Sequence, residues 1–138
     1  MNKMPPPEIL NSDKQATIPS LVLKDVQRLL IYHLSDSTTT PIAVSPNDLN
    51  DFDHVERFET TNPKDFHAAY DALCAGKPSL DFHIGINARW GTVFINGSGE
   101  SLLTAYTDHF GVQGVVNNVT VWFSRPTFYQ WLERTFKA

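Results

Sequence analysis

Between Leu80 and Tyr106 apolar and polar residues alternate, and Asn96-Gly97-Ser98-Gly99 interrupts the alternation with residues suited to a tight reversal. Period-two alternation marks strands whose two faces differ, and asparagine and glycine accept the positive φ angles of hairpin turns. The stretch therefore commits the chain to antiparallel sheet. One reversal is predicted at Asn87 to Trp90 and another at 96–99, which gives two successive hairpins. In that register Phe82, Ile84, Ile86, Val93 and Ile95 share one face, predicted to be the core. Asp81, His83, Asn87, Trp90, Thr92, Phe94 and Asn96 share the other.

The rest of the chain supplies helices. From Leu21 to Leu34, Val22, Val26, Leu29, Leu30 and His33 recur at helical spacing, with Thr17 or Ser20 as cap and Pro19 near the first turn, so a helix is predicted. The polar run at 35–40 ends it, and Pro41 to Ser45 reads as a short strand. Residues 46–53 read as a loop and His54 to Glu59 as an edge strand. Asn62-Pro63 pairs a capping side chain with a proline at the first helical position, ahead of Phe66, Ala69, Tyr70 and Leu73 on one face and Gly76 as the stop. Val115 to Phe123 reads as one strand, followed from Pro126 by a helix with the stripe Phe128, Trp131, Leu132 and Phe136. The expected fold class is α+β: an antiparallel sheet of four to six strands packed by about three helices. Residues 1–16, with three consecutive prolines, form a flexible arm, and 17–138 a single domain.

Composition narrows the function. The 138 residues carry 15 acidic against 11 basic side chains, a formal charge of −4, and no run of Lys or Arg, which disfavours nucleic-acid binding. No apolar segment has secretory or membrane-spanning length, so a cytoplasmic protein without membrane contact is expected. Asn96-Gly97-Ser98 and Asn118-Val119-Thr120 match the glycosylation sequon but read as turn chemistry. Cys74 is the single cysteine and rules out an internal disulfide. Near a helix C-terminus it is expected to be buried and inert.

Neither a cofactor nor a metal is expected. His33, His54, His67, His83 and His109 lack metal-ligand spacing, and Asp48 to Asp53 puts Asp53 where a calcium loop requires glycine. Gly97-Ser98-Gly99 lacks the spacing of a nucleophile elbow. Two surfaces remain. Asp48, Asp51, Asp53 and Glu56, with Glu59, form an acidic segment relieved only by Arg57, and a single-sign patch suits a basic protein partner. Trp90 and Phe94 among polar neighbours suit recognition, although aromatic residues on a sheet are more often core. The alternative is a small-ligand site or small enzyme with a pocket between sheet and helices, using Asp81, His83, Trp90 and Tyr106. Asp108-His109 is a further acid–base pair to weigh against a plain loop, and self-association through a sheet face or edge is compatible with either reading.

The helix ending near Gly76, then Pro78-x-Leu80, Ala88-x-x-Gly91-x-Val93, Gly99-Glu100 and the aromatic helix from Phe128 to Phe136 follow one another in a familiar order. In that order the C-terminal part of the chain resembles the small immunity proteins that neutralise deaminase-type and nuclease-type bacterial toxins. The resemblance implies a cytoplasmic, non-catalytic protein that binds one toxin and occludes its active site.

Overall fold

The computed structural model describes residues 18–35, 44–51, 55–80 and 86–137. The predicted arm, most of the Pro41 to Ser45 strand, and Asp53, Asp81 and His83 lie outside them. Seven strands are described: β1 (Val26–His33), β2 (Glu56–Thr60), β3 (Pro78–Leu80), β4 (Trp90–Asn96), β5 (Ser101–Thr107), β6 (Gln113–Val116) and β7 (Val119–Phe123). Three α-helices join them: α1 (Pro46–Asp51), α2 (Pro63–Ala75) and α3 (Thr127–Leu132), the last continuing into a π turn over Glu133–Lys137. The class is α+β as expected. All strand pairs are antiparallel, in the order β2-β1-β4-β5-β6-β7-β3, and the seven exceed the expected four to six.

Where local chemistry is strong, sequence and structure agree. Asn62 Oδ1 accepts the Lys64 N–H at 3.0 Å, Pro63 opens α2, and Phe66, Ala69 and Leu73 are its buried face. The edge strand read at 54–59 is β2, and Asn96 to Gly99 closes the β4–β5 hairpin, with Asn96 Oδ1 accepting the N–H groups of Ser98 and Glu100.

Four expectations are corrected. Residues 26–33 are strand, not helix, and pair with β2 on one side and β4 on the other. A central strand with both faces covered loses its alternation, so Leu29-Leu30-Ile31 imitates a helical stripe. Residues 46–51 form α1 rather than a loop, with Ser45 Oγ accepting the Asp48 N–H at 3.2 Å. The strand read over Val115 to Phe123 is two strands, because Asn117 and Asn118 at φ 46° and 68° turn the chain back between β6 and β7. Finally, 80–96 does not fold back on itself. β3 lies at the far edge beside β7, β4 lies between β1 and β5, and Asn87 Oδ1 accepts the Val44 N–H at 2.9 Å instead of supporting a turn.

The main core lies between one sheet face and α2 and α3. Leu29 and Ile31 of β1, Trp90 and Phe94 of β4, Leu103 and Ala105 of β5, Val116, Val121 and Phe123 meet Phe66, Ala69, Leu73, Phe128, Trp131 and Leu132 there. The outer face is covered at one end by α1, where Leu49, Leu34, Val44, Val55, Ile86, Ala88, Tyr106 and Val115 form a second cluster.

Candidate functional site

The β4 alternation divides residues as the sequence suggests, but both faces are covered: the expected core residues Ile86 and Ile95 are buried, and so is the face expected to be open, while Phe82 and Ile84 lie outside the described residues. Trp90, Thr92 and Phe94 are each 0% exposed and face α2 and α3. Trp90 and Phe94 are therefore interior residues, not a recognition face. α2 and α3 cover this side, which carries the large aromatic surface whose burial contributes most to the core. Of the alternative pocket's residues, Asp81 and His83 lie outside the described residues, and Trp90 and Tyr106 do not meet. Tyr106 pairs with Gly91, and Trp90 with Thr107, so the indole and the phenol project from opposite faces of the sheet. The Tyr106 hydroxyl donates to Asn50 Oδ1 at 3.1 Å beneath α1, and burial raises its pKa, with that hydrogen bond opposing the shift.

Sequence reasoning missed a polar cluster at the end of β1, where His33 passed for an apolar helix position. His33 is 2% exposed and its ring stacks on the Trp90 indole at 3.9 Å. Its Nδ1–H donates to Glu56 Oε1 at 2.7 Å, while Trp90 Nε1–H donates to Glu133 Oε2 at 3.0 Å. A carboxylate on Nδ1 fixes the tautomer that leaves Nε2 as acceptor, the arrangement of an oriented base. Yet Nε2 is buried without a hydrogen-bond partner, as is Arg89 Nη1. A general base must come within hydrogen-bond reach of the proton it takes. With Nε2 sealed between sheet and helices, the arrangement does what a packing network does: it anchors edge strand β2 to the core.

Asp108 and His109 do not pair. Asp108 Oδ1 accepts the N–H groups of Phe110 at 3.2 Å and Val112 at 3.1 Å, which shapes a turn, and the His109 ring lies against Phe110 at 3.8 Å between centroids. Cys74 is exposed, against the expectation of burial, but its thiol pKa is raised, chiefly by desolvation, with a Tyr70 hydrogen bond opposing the shift. Alkylation by iodoacetamide at neutral pH is therefore expected to run slower than for a free cysteine peptide and to accelerate as pH rises above the ordinary thiol value, because only the thiolate reacts. An equal or faster rate at neutral pH contradicts that assignment.

A groove of about 620 Å³ lies elsewhere, between the turn at Leu23–Asp25 and the start of α2, lined by Val22, Leu23, Val26, Pro63 and Phe66 with Lys24 and His67 at its rim. Among the described residues, no group of three or more His, Cys, Asp or Glu could hold a metal ion. No helix among them is long and apolar enough to cross a membrane.

The acidic segment stays at the surface. Asp48 and Asp51 are exposed on α1 over the outer face, and Glu56 is exposed at the start of β2 with its side chain on the helix-covered side. Arg57, the cation among them, is exposed as well: Nη2 donates to Asn50 O at 2.9 Å and the guanidinium lies 6.0 Å from the Tyr32 ring centre. Glu59 meets Arg28 at 3.6 Å. Asp48 and Asp51 thus lie over the outer face, and Glu56 points to the other side of the sheet from edge strand β2. Comparison with protein-family models, with curated proteins and with solved structures finds no match for this chain.

Proposed function

We propose that this chain is a non-enzymatic protein-binding domain of the inhibitor or immunity kind, which engages a basic partner through the exposed carboxylates Asp48, Asp51 and Glu56. The observation that supports this reading most is the exposure of these carboxylates while Arg57 is turned onto Asn50 and Tyr32. The formal charge of −4 also favours a basic partner. Like charges presented together accelerate encounter with the opposite sign and discriminate against acidic partners.

The test is affinity capture from the native host, followed by titration of the captured protein with the wild type and with Asp48→Lys/Asp51→Lys. The reading expects affinity to fall by about tenfold or more in the variant, equivalent to about 1.4 kcal/mol. It also expects binding to weaken between about 0.1 M and 1 M salt, as the Debye length falls from about 10 Å to about 3 Å. An affinity indifferent to both the charge reversal and salt contradicts it.

A further inference from the structure

Among the described residues strand β2 ends the sheet: it pairs with β1 on one side only. The Leu34 amide bonds to Arg89 O, so the even positions of β1 direct their backbone groups toward β4 and the odd positions His33, Ile31 and Leu29 toward β2. Their partners Glu56, Phe58 and Thr60 are thereby engaged. The N–H and C=O groups of Arg57 and Glu59 face away from the sheet, and their side chains lie together on its outer face.

We infer that β2 is the contact through which two copies of this chain pair, antiparallel and centred on Phe58, into one continuous sheet. In that register Arg57 stands opposite Glu59 of the second copy, and Glu59 opposite its Arg57. Among the described residues these are the β2 positions whose backbone groups point away from β1, so each pairing closes two main-chain hydrogen bonds. Opposite charges directly across a strand pair stabilise it, and like charges destabilise it. Edge charges ordinarily block association. Here they select a register: a slip that sets Arg57 against Arg57, or Glu59 against Glu59, pairs like charges, and the one between them does not. Phe58, half-buried and 5.5 Å from the Phe136 ring centre, then lies beside Phe58 of the second copy on the helix-covered side. Asp48 and Asp51 sit on α1, which packs on β1 and β4, so the pairing leaves them open, whereas Glu56 lies on β2 itself and falls opposite Thr60 of the second copy; the pairing does not depend on the basic-partner reading.

The experiment is sedimentation equilibrium of the full chain across a concentration series, for the wild type, Arg57→Glu, Glu59→Arg and the double exchange Arg57→Glu/Glu59→Arg. The expected result is a reversible wild-type dimer, weakened by about tenfold or more in each single variant because symmetry counts every change twice, and restored to within about threefold by the exchange. Circular dichroism melts identify any variant that unfolds instead of dissociating. For such a variant, Glu59→Gln keeps the fold test intact and is expected to give an intermediate weakening. A wild type that stays monomeric at every concentration overturns the inference. So does a dimer indifferent to the single reversals, or one that the exchange fails to restore.

Discussion

Trp90→Ala is expected to destabilise the protein by about 3–5 kcal/mol, the cost of truncating a fully buried large aromatic side chain. The indole is 0% exposed, stacks on His33 at 3.9 Å and donates to Glu133 at 3.0 Å. Its loss empties a space between β4 and the helices and removes the ring against which the buried imidazole lies. For a domain of this size the change corresponds to a fall in Tm of more than about 10 °C. Urea denaturation of the purified variant measures it, and a loss below about 1 kcal/mol would place the indole on a solvated surface. Trp122→Ala supplies the contrast: Trp122 is 45% exposed on β7, so its removal is expected to cost under about 1 kcal/mol.

Gly114→Ala carries the second large effect. A Cβ there would fall on the Phe123 ring and 2.6 Å from the carbonyl oxygen of Tyr106. A ring can tilt, but a backbone oxygen within a paired sheet cannot withdraw without parting β5 from β6. The expected destabilisation is about 2–3 kcal/mol, the upper range for an overpacked core. Gly97→Ala is the control, because its nearest neighbour is the flexible Gln27 side chain at 3.4 Å, and its effect is expected to stay within about 0.5 kcal/mol. Equal melting temperatures for the two variants would contradict the close approach of Phe123 to β6.

The parts of the fold that were legible in the sequence are those decided by neighbours along the chain. Asn62-Pro63 starts α2, Asn96 to Gly99 turns β4 into β5, and the aromatic stripe from Phe128 marks the last helix. Ser45-Pro46 carried the same capping signal as Asn62-Pro63, and its six-residue helix was passed over because the acidic residues that follow look solvated. Long-range partners decided the rest. Nothing local tells Leu29-Leu30-Ile31 that it lies between β2 and β4, nor sends β3 past three strands to the far edge. The candidate site was affected more than the fold. Alternation separated Trp90, Thr92 and Phe94 from Val93 and Ile95, but which set meets α2 and α3 depends on where those helices dock. Glu56 was singled out for its charge, whereas its bond to His33 required the register of β1 on β2, which no local pattern encodes. With the aromatic face interior, the proposed contact with a basic partner rests on Asp48, Asp51 and Glu56, and the inferred self-pairing on the edge of β2.

Collisional quenching separates the two arrangements of β4. In Trp122→Phe/Trp131→Phe, only Trp90 emits, and the account expects blue-shifted fluorescence that neither acrylamide nor iodide quenches appreciably. Emission at the wavelength of a hydrated indole, quenched as readily as free tryptophan, would return Trp90 to the surface and remove the reason for placing partner contact at Asp48, Asp51 and Glu56.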